Sequence, residues 1–519
     1  MNKPLGGYAL ERSFLRRELM SKPTCRTPAE HPDLDASDSG LLAGVARGEA
    51  RLTPEQALEL LTRAPLYTLG RWADARCRSI HGGSIRTYVI DRNINYTNVC
   101  TARCTFCAFR RDAGDHDAYT LPHEQIYEKI AELVGIGGTQ ILMQGGMNPE
   151  LPLDWYLDLL RGIKERFPRM HVHAFSPPEL MEFVEFFNPP GATLEDKIRW
   201  VLIRLQDAGM DSLPGGGGEI FAPAVRRKIG LGKCDHEAWL TTMYVAHSLG
   251  MFTSASMMFG HIEGYADRVH HMWEVRRWQD RALRDFGAPR ALELEPGDAG
   301  DDDLSRRYPA SLRAHGGAGG HYTAFIAWPF QRENTPMGNL KEWGTVAGDF
   351  EKYGPEFPGD VVARVDGSGA KGSHPEFGRR LRMSGAVDYL RMQATARLFL
   401  DNVYSMGSSW VTMGPHVGQL GLMFGANDMG SVMMEENVVS AAGTTYCLDE
   451  AVLCRLVRDA GFIPAQRDNY YDLLSIKQGA NAPDLRVSNW ADHRAKKLHV
   501  EQGGKAELTV GASRATANN

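Results

Sequence analysis

Strand-like and helix-like stretches alternate along most of this 519-residue chain, and this alternation is the strongest constraint on its fold. Repeated strand–helix units form parallel sheets, because each helix returns the chain to the edge where the next strand begins. Eight stretches have the composition of a strand: 85–95, 139–143, 170–175, 210–213, 252–259, 322–327, 408–412 and 420–424. Eight parallel strands predict an α/β fold with a closed (β/α)8 TIM-type barrel; a partial (β/α)6 barrel is the alternative if the last two are misread.

The segments around this core differ in composition and set the expected domain limits. Residues 1–46 mix Pro, Gly, Asp and Ser with little apolar periodicity and are predicted to form a mobile leader. A short N-terminal helical extension is predicted over 47–84, since Thr53 and Pro54 resemble a helix cap and first turn. The remaining ranges are the barrel, 85–496, its Gly-, Asp- and Pro-rich insertions near 293–320 and 338–380, and a flexible tail, 497–519.

Three of the eight cysteines lie close together, directly after the first predicted strand. Cys100, Cys104 and Cys107 have the spacing C-x3-C-x2-C, and thiolates this close can bind one soft metal centre. Three thiolates suit a cubane iron–sulfur cluster in which one iron stays open to another ligand. A structural zinc site and an ordinary thiol loop are the alternatives, but zinc normally takes four ligands, and His116 and His123 do not complete a familiar set.

Charge and hydropathy patterning exclude several function classes. The net charge of −6 and the pI near 6.3 argue against nucleic acid or an anionic membrane as the main partner. The chain has no apolar run long enough to span a bilayer, and its N-terminus lacks the apolar core of a signal peptide. We therefore predict a cytoplasmic protein without membrane insertion, in a compartment that keeps free cysteines reduced.

Polar residues and glycines follow most of the predicted strands. In a parallel barrel the active-site residues lie at these C-terminal strand ends. The residues concerned are Gln144, Gly145 and Gly146, then Ser176, then a run of four glycines at 215–218, then His261 and Glu263, and last Asp428. Glycines let a ligand approach the main chain, although a tight turn needs them equally. His261 and Glu263 would point the same way on an extended segment, as a proton relay or as a structural pair.

The cysteine motif, with Phe106 before its last cysteine and a parallel barrel around it, resembles the radical S-adenosylmethionine superfamily. Within that superfamily the chain is similar to the dehypoxanthine futalosine cyclase family of the futalosine route to menaquinone. The motifs that carry this similarity are DRNINYTNVC, GGTQILMQGG, HVHAFSPPE, DSLPGGGGEI, MMFGHIE, SWVTMGP, GANDMGS and MMEENVVSAAG. The resemblance runs from about residue 52 to 469, interrupted by the two insertions.

The resemblance implies an enzyme with two cofactors. Cys100, Cys104 and Cys107 would hold a [4Fe–4S] cluster whose fourth iron binds S-adenosylmethionine. The residues expected to contact this cofactor are Phe106, Gln144, Gly145, Gly146 and Ser176. Met147 stands where the superfamily usually has an acidic residue after the two glycines.

The implied reaction is a cyclisation of dehypoxanthine futalosine. A 5′-deoxyadenosyl radical removes the hydrogen from C4′ of the ribose, the carbon radical adds to the attached benzoate ring, and loss of an electron and a proton gives the cyclic product. Glu263 or His261 is our hypothesis for the base that takes the last proton, because both follow a predicted strand. Arg110, Arg111 and Asp428 are expected to bind the substrate, the two arginines through its carboxylate.

The reaction also needs a reductant and a cavity that protects the radical. The expected electron donor is a flavodoxin or ferredoxin, and the expected apolar walls are Met143, Phe175, Met257, Met258 and Phe259. Within the superfamily, the alternative is an aminofutalosine synthase or a deazaflavin (FO) synthase-like enzyme. The alternative of a different class is a non-catalytic iron–sulfur or zinc protein.

Overall fold

The computed structural model describes residues 40–286, 319–369, 373–479 and 482. The strands in this part of the chain are β1 (Ile85–Val89), β2 (Asp91–Ile94), β3 (Gln140–Met143), β4 (His171–Ala174), β5 (Ser212–Leu213), β6 (Phe252–Phe259), β7 (Tyr322–Pro329), β8 (Lys341–Glu342), β9 (Arg380–Leu381), β10 (Ser405–Gly407), β11 (Asp428–Ser431), β12 (Ile463–Arg467) and β13 (Leu473–Ile476).

Helices separate most of these strands, and none in the described ranges is long and apolar enough to cross a membrane. They are α1 (Leu41–Arg47), α2 (Pro54–Arg63), α3 (Leu66–His81), α4 (His123–Gly135), α5 (Leu153–Arg166), α6 (Pro177–Phe187), α7 (Leu194–Ala208), α8 (Pro223–Ile229), α9 (His236–Ser248), α10 (Tyr265–Asp285), α11 (Asp349–Tyr353), α12 (Pro358–Val362), α13 (Ala386–Phe399), α14 (Trp410–Met413), α15 (Pro415–Gly421), α16 (Val438–Ala441), α17 (Glu450–Asp459), and a 3₁₀ helix at Met337–Asn339.

Eight strands close into a barrel. The main sheet has the order β13-β12-β1-β11-β10-β7-β6-β5-β4-β3-β2, and all of its pairs are parallel except β12 with β13. Only Ile90 separates β1 from β2, so β11 on one side and β3 on the other pair with the same continuous strand. The predicted (β/α)8 TIM-type barrel is confirmed, because the ring contains β1 with β2, β3, β4, β5, β6, β7, β10 and β11.

The last two predicted strands were placed wrongly. Residues 408–412 and 420–424 lie mainly in α14, in the end of α15 and in the turn after it, whereas the true strands are β10 and β11. These strands are short and contain Gly, Ser and Asp, because their inner faces line a polar interior. The apolar stretches that suggested strands belong to helices, so apolar content alone gave the wrong positions.

The N-terminal helices pack against the outside of the barrel. As predicted, Thr53 caps α2: its Oγ1 accepts a hydrogen bond from the Gln56 N–H at 3.2 Å, and the Gln56 side chain accepts one from the Thr53 N–H at 2.9 Å. On α3, Gly70 lies so close to the ring of Phe424 that a Cβ would be 3.0 Å from it. The extension is therefore packed closely against the barrel domain.

Several predicted boundaries fall on residues that the structure does not describe. Helix α1 begins within the range predicted as the leader. Residues 1–39 of that leader, the tail at 497–519 and all but the last two residues of the insertion near 293–320 lie outside the described residues. The predictions for them stay predictions.

The described part of the insertion near 338–380 forms a small folded layer over the turn that follows β6. Its strands β8 and β9 pair in parallel. Asp360 of α12 accepts a hydrogen bond from the Tyr265 N–H at 2.8 Å, and a Cβ on Gly264 would lie 2.5 Å from the carbonyl oxygen of Gly359. This close approach means that the layer covers the turn at 260–264.

The hairpin of β12 and β13 closes the N-terminal end of the barrel. In the turn between its strands, the Asn469 amide donates a hydrogen bond to Ser212 Oγ at 3.0 Å. The ring centroid of Tyr470 lies 5.0 Å from that of His171 and 5.7 Å from that of Phe252. These three partners are the first residues of β4, β5 and β6, so the hairpin turn lies across the lower opening of the barrel.

A buried ion pair holds this hairpin to the barrel wall. Arg467 Nε lies 2.5 Å from Asp428 Oδ2, and Arg467 Nη2 lies 2.9 Å from Asp428 Oδ1. Asp428 also accepts a hydrogen bond from Thr87 Oγ1 at 2.5 Å. The pair therefore joins β12, β11 and β1 at one point, and its bidentate geometry is the strong form of such a contact.

Replacement of Arg467 by Met tests this ion pair. The variant leaves the Asp428 carboxylate buried without its cation, which we expect to cost about 3–5 kcal/mol of folding stability. Thermal denaturation followed by circular dichroism should show a lower midpoint for R467M. The double variant R467M/D428N removes the unpaired charge and should recover part of the loss; an unchanged midpoint in R467M would contradict the assignment.

Candidate active site

A cavity of about 380 Å³ lies inside the barrel, above the hairpin turn. Residues in or directly after all eight barrel strands line it, and Arg467, Asn469 and Tyr471 of the hairpin form its floor. The charged groups in the lining are three carboxylates and one guanidinium: Asp91, Asp428, Glu436 and Arg467. The cavity thus combines a largely apolar lining with several buried hydrogen-bond acceptors.

The apolar part of the lining differs from the predicted walls. The five predicted residues, Met143, Phe175, Met257, Met258 and Phe259, are buried, but none is among the residues that line the cavity. The observed apolar lining includes Val89, Leu142, Ala324, Ile326, Trp328, Trp410, Val411, Met429, Met433, Val438 and Val439. The prediction missed the alternation of strand side chains, which turns Leu142 inward and Met143 outward.

The cysteine loop, residues 100–107, leaves the barrel at the C-terminal end of β2. Its main chain is fixed to two other segments: the Thr101 N–H donates to the Met147 carbonyl at 3.0 Å, and the Arg103 N–H donates to the Leu231 carbonyl at 2.7 Å. The first contact joins the loop to the turn after β3, and the second joins it to the segment after α8. Contacts with two other segments at the barrel mouth therefore help to fix the conformation of the loop.

The three thiols share one small apolar environment. Cys100, Cys104 and Cys107 pack together with Phe106 and Met147, and none of them is in a disulfide. Burial raises the pKa of Cys100, and it raises that of Cys104 to about 11. Buried thiols with raised pKa values become thiolates when a metal centre supplies positive charge.

Lys233 and Glu219 form an ion pair beside these thiols, and the sequence analysis identified neither. Lys233 Nζ lies 3.0 Å from Glu219 Oε1 and 5.2 Å from the centre of the Phe106 ring. Burial alone would lower the pKa of Lys233, but the charges of Glu219 and Cys104 outweigh it and raise the pKa. The available signal was that Glu219 ends the run of four glycines, with Lys233 fourteen residues later.

Glu219 has two further features of a binding residue. Its backbone has a φ of 44°, which is strained for a residue with a side chain. Its Oε2 is buried and has no hydrogen-bond partner in the described part of the chain. A fixed ammonium and a carboxylate oxygen without a partner can together bind a zwitterion, such as the amino-acid end of a cofactor.

The two predicted glycines pack tightly against the strand end that leads into the cysteine loop. A Cβ on Gly146 would lie 2.0 Å from the carbonyl oxygen of Val99. The Gly146 N–H donates to the Thr97 carbonyl at 2.8 Å, and the Gly145 N–H donates to Glu179 Oε1 at 2.9 Å. The tight-turn alternative thus has direct support, and contact of these two glycines with the cofactor stays a prediction.

The Glu179 carboxylate joins the ends of three strands. Its Oε1 accepts hydrogen bonds from the Tyr96 hydroxyl at 2.6 Å and from Gly145, and its Oε2 accepts from the Ser176 N–H at 2.7 Å and the Ser176 hydroxyl at 2.6 Å. Burial raises its pKa. The predicted Ser176 is therefore engaged in capping α6, while the predicted Gln144 lines the cavity, directly beside Gly216.

His261 and Glu263 lie together in a closed cluster beneath the insertion. Glu263 accepts hydrogen bonds from the Gly260 N–H at 2.7 Å, the His261 N–H at 2.8 Å and Arg268 Nε at 2.8 Å. Burial would raise the pKa of Glu263, but His261 and Arg268 outweigh it and lower the pKa to about 2. Neither side chain lines the cavity, so their assignment as the base stays a prediction without support from their position.

The three predicted substrate-binding residues are all engaged within the protein. Arg110 Nε donates to the Cys100 carbonyl at 3.2 Å. Arg111 donates to the carbonyls of Ala108, Phe109 and Arg110, directly after the cysteine loop, and pairs with Asp117 at 2.7 Å. Neither arginine lines the cavity, whereas Asp428 does, in its pair with Arg467. Their contact with substrate stays a prediction.

Comparison with known proteins agrees with this arrangement. Residues 94–272 match the family model described as the Radical SAM superfamily, and residues 378–480 match the CofH/MqnC C-terminal region. The chain belongs to the radical SAM superfamily. Its cofactors are accordingly a [4Fe–4S] cluster and S-adenosylmethionine.

Among its relatives in this superfamily is the cyclic dehypoxanthine futalosine synthase of Halalkalibacterium halodurans, 37% identical over 86% of this chain and 98% of that protein. The synthase of the same name from Streptomyces coelicolor is 34% identical over 85% of this chain and 91% of its own length. The 5-amino-6-(D-ribitylamino)uracil--L-tyrosine 4-hydroxyphenyl transferase of Methanopyrus kandleri is 31% identical over 86% and 99%. The chain thus belongs to the group of radical SAM enzymes that contains these synthases and transferases.

Solved structures of radical SAM enzymes have the same fold. Methylornithine synthase (PylB) superposes with a TM-score of 0.51 at 15% identity, covering 82% of this chain and 97% of that one. The FeFe-hydrogenase maturase HydG from Carboxydothermus hydrogenoformans gives a TM-score of 0.51 at 14% identity, over 83% and 80%. These likenesses confirm the barrel architecture.

The residues at the barrel mouth fit the cofactors of this superfamily. Three unpaired thiols in one loop supply the soft ligands that iron–sulfur clusters prefer, and the loop brings no fourth thiol. The Glu219 oxygen without a partner and the buried Lys233 ammonium lie beside them. These groups could bind a charged ligand next to the cluster.

The close approach of Gly146 to Val99 makes a specific test of the loop geometry. In G146A the added Cβ must push the Val99 carbonyl away, and overpacking of this kind costs roughly 1–3 kcal/mol. We expect fewer iron and sulfide ions per chain after anaerobic reconstitution. The matched control is G135A on α4, where a Cβ meets nothing within 4 Å; equal iron content in the two variants would contradict the role of Gly146.

Proposed function

We propose that this protein is a radical SAM cyclase that converts dehypoxanthine futalosine to cyclic dehypoxanthine futalosine in menaquinone biosynthesis. The observation that carries the proposal is the 37% identity over nearly the whole length of a cyclic dehypoxanthine futalosine synthase. The cavity inside the barrel, with a three-cysteine loop at the barrel mouth, supports it, because a carbon radical must be kept from water and reductants.

In this proposal Cys100, Cys104 and Cys107 hold the [4Fe–4S] cluster. The cluster and S-adenosylmethionine would supply the 5′-deoxyadenosyl radical needed to remove the C4′ hydrogen of the substrate's ribose. Lys233 and Glu219 bind the carboxylate and amino groups of S-adenosylmethionine, since they present opposite charges beside the thiols. The other contacts proposed for S-adenosylmethionine are with Phe106, Gln144, Gly145, Gly146 and Ser176.

The barrel itself holds the substrate and excludes water. The hairpin turn closes the cavity from below, and the segment with Met433, Val438 and Val439 lines it with apolar side chains. The substrate has to fold so that its benzoate ring lies against C4′, and a cavity of nucleoside size favours that conformation. Binding of its carboxylate by Arg110 or Arg111 remains part of the proposal.

The last step needs a group that accepts a proton from the benzoate ring. Glu436 is better placed for this than Glu263, because its side chain lines the cavity. Burial raises the pKa of Glu436, so its carboxylate is a stronger base than an ordinary one. It accepts hydrogen bonds from Asn93 at 2.9 Å and from the N–H groups of Val438 and Val439 at 2.7 Å each, which fix its position.

The anaerobic assay with dehypoxanthine futalosine tests the proposed function. Reconstituted protein with S-adenosylmethionine and dithionite should form 5′-deoxyadenosine and a product with two hydrogen atoms fewer than the substrate, measured by mass spectrometry. C104A should lose both, whereas C447S, which changes an exposed cysteine, should keep both. Turnover of ribitylaminouracil and tyrosine in place of dehypoxanthine futalosine would instead assign the transferase function of the 31% identical relative.

The identity of the base is tested by comparing two amide variants in the same assay. If Glu436 accepts the proton, E436Q should lower kcat by roughly 10²–10⁴-fold while 5′-deoxyadenosine is still released. E263Q should change kcat much less, because Glu263 does not line the cavity. The opposite result, with E263Q inactive and E436Q active, would restore Glu263 as the base.

A cytoplasmic location and a flavodoxin or ferredoxin as electron donor belong to the same proposal. The three unpaired cysteines of the loop require a reducing compartment. The side chains of Arg103, Arg227 and Lys228 are exposed around the cysteine loop, and a basic surface suits an acidic electron carrier. Replacing dithionite with a reduced flavodoxin in the assay measures whether such a carrier delivers the electron.

A further inference from the structure

Two buried amide oxygens in the cavity lining have no hydrogen-bond partner in the described ranges. They are Asn93 Oδ1 on β2 and Gln140 Oε1 on β3. Both residues are more than nine-tenths buried, with 6% of Asn93 and 5% of Gln140 exposed. An acceptor buried without a partner costs free energy, so each oxygen marks a place where a ligand can donate a hydrogen bond.

The orientation of both amides is set by their neighbours. The Asn93 amino group donates to Glu436 Oε2 at 2.9 Å, and the Gln140 amino group donates to Asp91 Oδ2 at 2.8 Å. Rotating either amide by half a turn would place its oxygen against a carboxylate oxygen, which is repulsive while the carboxylate is ionised. The free atom is therefore an acceptor at both positions.

The two free acceptors lie on the same face of neighbouring strands. In the parallel pair of β2 and β3, Asp91 is opposite Gln140 and Asn93 is opposite Leu142. Asn93 and Asp91 share a face because they are two residues apart, and both line the cavity with Gln140. The Cα atoms of Asn93 and Gln140 are thus about 8 Å apart by strand geometry. We call Asp91, Asn93 and Gln140 the acceptor wall.

The carboxyl groups around the cavity make this wall unfavourable for an anion. The single guanidinium of the lining, Arg467, is already bound through two nitrogens by Asp428. Asp91 and Glu436 lie next to the two free oxygens, and a substrate carboxylate there would meet like charge without a cation. Groups that donate hydrogen bonds without carrying negative charge fit instead, and sugar hydroxyls have this property.

We propose that the acceptor wall binds the sugar hydroxyls of the substrate and so fixes its orientation in the barrel. Gln140 and Asn93 each accept a hydrogen bond from a hydroxyl of the ribose. The hydroxyl-bearing end then lies against β2 and β3, and the benzoate carboxylate points towards the barrel mouth. This inference rests on the proposed function, since it takes dehypoxanthine futalosine as the ligand.

The acceptor wall is tested by measuring the binding of dehypoxanthine futalosine to the reconstituted holoenzyme in the absence of S-adenosylmethionine. We expect Q140L and N93L each to weaken the binding of dehypoxanthine futalosine by roughly tenfold, measured by isothermal titration calorimetry. The matched control is S256A, which also lies in the lining but whose hydroxyl is bonded to the Gly215 carbonyl. Unchanged affinity in both Q140L and N93L would overturn the proposal.

Deoxy analogues of the substrate separate a direct contact from a structural effect. Each analogue lacks one ribose hydroxyl, and at least one should bind wild-type protein roughly tenfold more weakly than the parent. That loss should disappear in the variant whose amide accepted the missing hydroxyl. The proposal fails if every analogue binds wild-type protein as tightly as the parent, or if the loss is equal in wild-type protein and both variants.

The wild-type measurements distinguish this failure from that of the proposed function. Wild-type protein that neither binds nor converts dehypoxanthine futalosine refutes the proposed function. In that case, the affinity of the same variants for 5-amino-6-(D-ribitylamino)uracil is measured, because its ribityl chain also carries hydroxyls. Normal turnover of dehypoxanthine futalosine with no effect of the two leucine variants refutes the acceptor wall alone.

Discussion

A buried carboxylate at the barrel mouth holds the site together. Glu179 accepts four hydrogen bonds, from Tyr96, from Gly145 and twice from Ser176. These donors follow β2, β3 and β4, and an ionised carboxylate in a buried site is stable only when its oxygens are satisfied in this way. The cysteine loop begins four residues after Tyr96, so its position depends on this network.

The insertion and the hairpin pack against opposite ends of the barrel. The insertion covers the turn at 260–264 and buries the ion pair of Glu263 with Arg268, while the hairpin turn supplies the cavity floor. Charge that is paired in this way stabilises the scaffold and is unavailable to a ligand. The groups left for chemistry are the few that line the cavity or lie beside the thiols without a full set of partners, such as Glu219 and Gln140.

The sequence predicted the barrel and the cysteine loop, but less of the site around them. Six of the eight strands were placed correctly because their apolar runs end in glycines and polar residues. β10 and β11 were missed because each lies next to a more apolar helix. The spacing of Glu263 and His261 correctly predicted that their side chains point the same way. It could not show that Arg268, on the helix after the turn, would pair with the Glu263 carboxylate.

The acceptor wall and the pair of Lys233 with Glu219 were missed for a related reason. Asn93 and Gln140 lie 47 positions apart in the sequence, and only the register of β2 with β3 brings them to one face. Lys233 reaches Glu219 because the segment after α8 folds back on the cysteine loop. Such contacts depend on tertiary structure, and beyond the place of Glu219 after the four glycines no local pattern of residue types predicts them.

Closure of the barrel also has a consequence for how the chain folds. The strand made of β1 and β2 pairs early in the sequence with β3, but its other neighbours, β11 and β12, come more than 300 residues later. Contacts at such separation are slow to form, and during synthesis they must wait for the last part of the chain. The cysteine loop and the segments that hold it, up to Leu231, are thus made long before β10, β11 and the hairpin that complete the cavity.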